Sequence, residues 1–206
     1  MFKIKVCGLK DPSNIMEIFI LKPDFLGFIF YPFSPRFIKK YFPIPNFCEV
    51  KKIGVFVNSD EKYVLQKIEN YRLDLIQLHG NEDVKFCYSL YSLDKKNIKI
   101  IKAFNVDQNF SFDQIKKYRN CVDYFLFDTK TSKYGGSGKK FFWKKLDEYY
   151  FDIPFFLSGG ITINDTDEIL KLSHPKLFCL DINSHFEITP GFKNRNLISN
   201  FITKIR

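Results

Sequence analysis

Several side chains able to move protons or grip anions stand in this sequence directly after short apolar runs. Cys7 and Gly8 follow "KIKV", Arg36 closes "YPFSPR", His79 ends "LIQLH" and Asp128 ends "YFLFD". Gly159 and Gly160 follow "FFLS", and Asp181 follows "LFCL", with Asn183 and Ser184 just beyond. A thiol serves as a base only as its thiolate, which a nearby cation or helix N-terminus favours. The chain offers Lys10 and the helix start at Asp11-Pro12 for that purpose. On position alone, though, Cys7 reads by default as a small core residue, because free cysteine is among the most buried types. Asp128 has two open readings. Its apolar frame desolvates it and favours the proton-holding form of a general acid, or its oxygens tie down the amides of the following loop. Arg36 has the planar fork that grips a carboxylate at two points, against the plain reading of a solvated residue before a helix. His79 contacts a substrate or hydrogen-bonds the rim. The turns at Gly159-Gly160 and after Asp181 supply flexible amides where short helices should start, an arrangement suited to an anion.

The elements that must position these residues recur with one rhythm. Apolar, β-rich runs lie at 3–6, 25–30, 53–57, 73–78, 98–103, 124–127, 155–157 and 177–180. Helical patterns lie between them at 60–71, 82–91, 112–118, 141–149, 165–172 and 196–205, with a further start at Asp11-Pro12. The second connection, "SPRFIKKYFPIPNF", is broken by prolines and has room for a short helix only. Alternation of this kind builds a parallel sheet, and no GxGxxG turn marks a doubly wound one. The expectation is a single (β/α)8 barrel domain over 1–206, with chemistry at the carboxyl ends of the strands. The residues named above occupy those ends.

Composition excludes several classes. No run of 18 apolar residues is present, so no membrane-spanning segment is expected, and the immediate entry into a strand leaves no room for a signal peptide. The five cysteines form no CxxC pair, which fits reduced thiols in a cytoplasmic protein. The three histidines are not spaced as metal ligands. The net charge of +9 comes from lysines scattered in ones and twos. It accompanies an excess of Phe, Ile, Asn and Tyr, the mark of A+T-rich codons rather than of a nucleic-acid-binding face. The 25 phenylalanines are read as core filler.

Taken in order, "KVCGLKD", "GFIFYPFSPRFI", "IGVFVN", "IQLHGNED", "FLFDTKTSKYGGSGKKFFW", "FLSGGI" and "DINSHFEITPGFKN" resemble the successive signatures of phosphoribosylanthranilate isomerase, from end to end of the chain. The resemblance implies the third conversion of tryptophan biosynthesis, an Amadori rearrangement of N-(5'-phosphoribosyl)anthranilate, without cofactor or metal. It implies Cys7 as general base and Asp128 as general acid. It further implies Arg36 on the anthranilate carboxylate, His79 at the substrate, and Gly159, Gly160, Asp181, Asn183 and Ser184 around the ribose phosphate. The expected partner is a small phosphosugar, with no nucleic acid and no membrane, bound by a monomer or, alternatively, a homodimer. "TSKYGGSGKK" lacks Walker A spacing and reads as a lid over the substrate, or as an ordinary flexible loop. Departures from the family pattern are Phe142 in place of an aspartate, and Asn183-Ser184-His185 in place of Ser-Ser-Gly. His185 is therefore expected at a left-handed turn beside the phosphate. The competing enzyme is another phosphosugar barrel, such as indole-glycerol-phosphate synthase, which would need catalytic lysines and a glutamate on the strands.

Overall fold

Strands pair in sequence order until the eighth returns to the first. A computed structural model describes residues 2–45, 49–92, 98–129 and 143–206. The strands are β1 (Lys3–Cys7), β2 (Phe25–Ile29), β3 (Lys51–Phe56), β4 (Leu75–Leu78), β5 (Lys99–Val106), β6 (Tyr124–Thr129), β7 (Phe155–Leu157) and β8 (Leu177–Ile182). Every pair is parallel and the barrel is closed, as the alternating pattern predicts. Several strands run further than their apolar runs. β1 takes in Cys7, β6 takes in Asp128, and β8 takes in Asp181. Ladder pairing is a backbone matter, so Asn105 opposes Asp128 in register although both are polar.

Side chains alternate across each strand. The even-numbered residues of β1 and β2 (Ile4, Val6, Leu26, Phe28) pack outward into the layer beneath the helices. The lumen is filled at its lower level by Phe25, Ile53, Leu75, Ile101, Leu126 and Phe156. Three aspartates fasten the lower rim. Asp24, Asp74 and Asp123 each precede an even-numbered strand and accept the backbone N–H of Ile4, Lys52 and Ile100 at 2.9, 2.8 and 2.8 Å. Each also returns its own N–H to the same residue's carbonyl.

Outside lie α1 (Pro12–Phe19), α2 (Glu61–Tyr71), α3 (Val84–Ser92), α4 (Thr166–Leu170) and α5 (Arg195–Ile205). Asp11, Asp60 and Asn194 cap three of them by accepting from Asn14, Tyr63 and Leu197. The expected helices at 112–118 and 141–149 are 3-10 segments, Phe112–Tyr118 and Trp143–Glu148. Their buried residues (Phe112, Ile115 and Tyr118; Trp143 and Leu146) recur every third position, the period of a 3-10 turn. The helix expected at 165–172 shortens to one turn, α4, entered through a 3-10 turn at Ile163–Asp165. Between β2 and β3 the described residues hold no helix. A hairpin the periodicity did not signal, β9 (Glu187–Thr189) with β10 (Phe192–Lys193), precedes α5. Most of the described phenylalanines pack in the core, where Phe112, Phe127, Tyr149 and Phe155 meet with centroids 5.1–5.3 Å apart, mostly edge to face; Phe33, Tyr41, Tyr88, Tyr91 and Tyr150 are exposed. The "GGSG" segment, Phe142 and Cys48 lie outside the described residues.

Candidate active site

Above the apolar floor a cavity of about 670 Å³ opens at the carboxyl ends of the strands. Every site residue singled out in the sequence lines it: Cys7, Arg36, His79, Asp128, Gly159, Gly160, Asp181, Asn183 and Ser184.

Cys7 is as buried as the default reading of a core cysteine expects. It is 4 % exposed and sits at the end of β1. Burial pushes its thiol up, and the charge of Lys5 pulls the other way. The cations near the sulfur are Lys5 and Lys193 rather than Lys10, whose Nζ is spent on the Pro35 carbonyl at 2.8 Å. Gly8 takes φ +82°, as the tight turn beside Cys7 requires. The glycine at position 27 leaves the space: a Cβ there would stand 2.9 Å from the Cys7 sulfur and 3.0 Å from Lys5 Cε.

Lys5 is fully buried, two residues below Cys7 on the same inward face. Its Nζ donates to Asp181 Oδ2 at 2.8 Å and to Gln77 Oε1. Burial works against its charge, but the Asp181 carboxylate overcomes this and raises Lys5 to about 12, so it remains an ammonium throughout the working range. Burial likewise raises Asp181, with Lys5 opposing. The chain continues on the other side of Gln77. Its Nε2 donates to His79 Nδ1 at 2.7 Å, which leaves the ring hydrogen on Nε2, 3.3 Å from Asp128 Oδ2. That last approach is too poorly aligned for a hydrogen bond, so His79 Nε2 and Asp181 Oδ1 are both buried and unbonded among the described residues. Asp128 Oδ1 accepts the N–H of Thr129 at 2.8 Å, so the loop-tying role foreseen for it uses one oxygen.

Arg36 does not present its whole fork to the cavity. Nε and Nη2 grip Glu187 in a two-point contact (2.8 and 2.7 Å), which leaves the Nη1 side for a ligand. Glu187 also accepts from Lys193 at 2.7 Å. Burial would raise its carboxyl, but Arg36 and Lys193 hold it below the ordinary range. Lys193 in turn donates to Asn183 Oδ1 at 2.7 Å, and burial lowers it to about 8 against the pull of Glu187. On the far wall Gly159 and Gly160 follow each other at φ +93° and +67°, and a Cβ on Gly159 would strike Thr129 at 2.3 Å. The turn after β8 is a three-residue 3-10 segment, Ser184–Phe186. His185 is exposed, has no positive φ and does not line the cavity, which corrects the expectation of a left-handed turn there. Asn183 absorbs the bend at φ −146°, ψ −96°. Among the described residues no cluster of His, Cys, Asp and Glu is arranged to hold a metal.

Sequence reasoning missed Lys5, Gln77, Glu187 and Lys193. Lys5 and Gln77 had a signal, since each is a polar residue inside an apolar strand run, two positions before a chosen residue. Glu187 and Lys193 lie beyond the barrel strands, and their one signal was their place in the "DINSHFEITPGFKN" segment. The model of the family "N-(5'phosphoribosyl)anthranilate (PRA) isomerase" matches residues 4–204. This chain belongs to that family. An N-(5'-phosphoribosyl)anthranilate isomerase of Parabacteroides distasonis is 41% identical, over 98% of this chain and 92% of that relative. The crystal structure of phosphoribosyl anthranilate isomerase from Thermotoga maritima is 30% identical with a TM-score of 0.83, covering 100% of this chain and 98% of the other. Another isomerase structure, in complex with reduced 1-(o-carboxyphenylamino)-1-deoxyribulose 5-phosphate, is 25% identical with a TM-score of 0.77, over 100% and 98% of the two chains.

Proposed function

We propose that this chain isomerises N-(5'-phosphoribosyl)anthranilate with Cys7 as general base and Asp128 as general acid. The observation that carries the assignment is that Cys7 and Asp128 line one cavity, with Lys5, Gln77 and His79 set between them and His79 Nε2 3.3 Å from Asp128 Oδ2. Asp128 donates its proton to the ribose ring oxygen. The C1'–O bond breaks as the anilino nitrogen forms C1'=N⁺. The Cys7 thiolate then takes the C2' proton, and the C2'–H electron pair becomes a C1'=C2' bond as the C1'=N⁺ π pair returns to nitrogen. The resulting enol settles to the ketone as a proton leaves the C2' oxygen and another reaches C1'. The iminium formed in the first step acidifies C2'–H, so a thiolate of raised basicity is suited to the second.

Arg36, held in place by Glu187, offers Nη1 to the anthranilate carboxylate. The Gly159-Gly160 turn and the start of the Ser184 turn face the phosphate with backbone N–H groups. Of the two atoms left unbonded in the wall, His79 Nε2 donates to a sugar hydroxyl oxygen and Asp181 Oδ1 accepts from a sugar hydroxyl. The residues described at the cavity all come from one chain, which is compatible with a monomer; the dimeric isomerase of Thermotoga maritima keeps a homodimer as the alternative. No helix among the described residues is long and apolar enough to cross a membrane, and the four described cysteines are free thiols, which suits a cytoplasmic enzyme.

The test is loss of substrate fluorescence on incubation with freshly made phosphoribosylanthranilate. Wild type should turn it over, while Cys7→Ala and Asp128→Asn should each lose about 10²–10⁴ in kcat, the usual worth of a positioned acid or base. A variant that folds and keeps more than about a tenth of wild-type kcat removes that residue from its role.

A further inference from the structure

The segment that carries Arg36 to the cavity also carries the most exposed large apolar side chain among the described residues. Phe33 is 85 % exposed, yet it lines the cavity mouth. Single exposed apolar residues are ordinary on protein surfaces. This one differs in where it stands and in how firmly its loop is set. Ser34 N–H donates to the Tyr31 carbonyl (3.0 Å), Phe37 N–H to that of Ser34 (3.1 Å) and Arg36 N–H to Ser34 Oγ (3.1 Å). Ile38 N–H donates to the Ile29 carbonyl at 3.1 Å, and Lys10 Nζ to that of Pro35 at 2.8 Å. Behind Phe33 stands Tyr31, with ring centroids 5.5 Å apart, and it lines the same cavity. The loop therefore holds two aromatic rings at the mouth, five and three residues before a guanidinium that Glu187 has fixed in direction.

We propose that Phe33, backed by Tyr31, is the cover for the aryl ring of the substrate and sets the preference for an aromatic amine. The proposal rests on the reading of Arg36 as the carboxylate grip. An ortho-aminobenzoate whose carboxylate sits on Arg36 has its ring one bond away, under this loop. A rotation about the Phe33 side-chain bonds lays the phenyl ring against it. The contact buries two apolar faces, supplies aromatic packing and shuts water out above the reacting carbon atoms. It is made to a part of the substrate that does not react, so it acts on binding more than on the chemical step.

Phe33 is exposed, so its replacement does not disturb the core. Phe33→Ala should raise KM for phosphoribosylanthranilate about tenfold with kcat within about threefold, and Phe33→Tyr should restore KM. Inhibition by inorganic phosphate, which has no ring, should be the same in wild type and Phe33→Ala. An unchanged KM in Phe33→Ala, or an equal loss of phosphate inhibition, overturns the cover. A change in sedimentation with KM unchanged overturns it too, making Phe33 a contact between chains. Arg36→Lys separates the two layers of the argument. If it weakens substrate binding by about 10-fold or more, as loss of the charge-assisted Nη1 contact should, the grip stands and Phe33 is judged alone. If it has no effect, the grip itself has failed.

Discussion

The floor and the upper level of the barrel lumen are made by the same strands and the same inward-facing register, two residues apart. In β4 the inward series runs Leu75, Gln77 and then His79 just past the strand; in β6 it runs Leu126, Asp128; in β8, Cys179, Asp181. The floor is close-packed and apolar. The level above it holds Lys5, Asp181, Gln77 and the thiol of Cys7. The two cysteines show what the difference does. Both are buried and both are raised by burial. Asp181 pushes both further up and Lys5 opposes it at both, but Asp181 outweighs Lys5 at Cys179, whereas Lys5 outweighs Asp181 at Cys7, with Lys193 assisting. Burial alone makes an inert thiol. Burial beside a fixed ammonium, that of Lys5, makes one whose thiolate is within reach, in a site where the apolar floor keeps water and its screening away.

Removing the cation should break the contrast most. Lys5→Met should lower kcat by about 10²-fold, toward the loss expected when the base itself is deleted. It also leaves Asp181 buried without its partner, which costs about 3–5 kcal/mol and is read as a fall in the unfolding midpoint. The double variant Lys5→Met/Asp181→Asn should recover most of that stability and none of the rate. Recovery of both would mean that Lys5 only supports the fold. The floor gives the smaller effect. Cys179→Ala should cost about 1–2 kcal/mol in denaturant unfolding, as a small core truncation, with kcat within about twofold. A large loss of activity there would erase the distinction between the two levels.

How much of this was legible in the sequence follows the same division. Strand order, closure and the polar rim could be read because apolar runs of even spacing announce buried strands, and polar residues directly after them announce the rim. The aspartates of the lower rim, in "PDF", "LDL" and "VDY" just before β2, β4 and β6, were missed, because their role shows only in the bonds to the preceding strands. Periodicity could not separate a 3-10 segment from an α-helix at Phe112–Tyr118 without attention to the three-residue spacing of its buried side chains. It was silent on Glu187 and Lys193, which reach the site from the hairpin after β8 and whose importance lies in contacts 151 residues back to Arg36 and 10 back to Asn183. Lys5 was passed over because a lysine inside an apolar run looks like an error in the pattern. Its meaning comes from Asp181, 176 residues away in sequence and in register on the neighbouring strand.

The central claim is that Cys7 is the base and that Lys5 secures its thiolate. Its most direct test compares two titrations of the same enzyme: the thiolate absorbance near 240 nm, as wild type minus Cys7→Ala, and the pH profile of kcat/KM. Because burial raises the Cys7 thiol, both should rise through a common midpoint above the roughly 8.5 of a free thiol, and activity should fall as pH drops below it. In Lys5→Met, with the opposing charge gone, both midpoints should move upward together. A rate profile flat across the thiolate titration, or one midpoint moving without the other, would contradict the account.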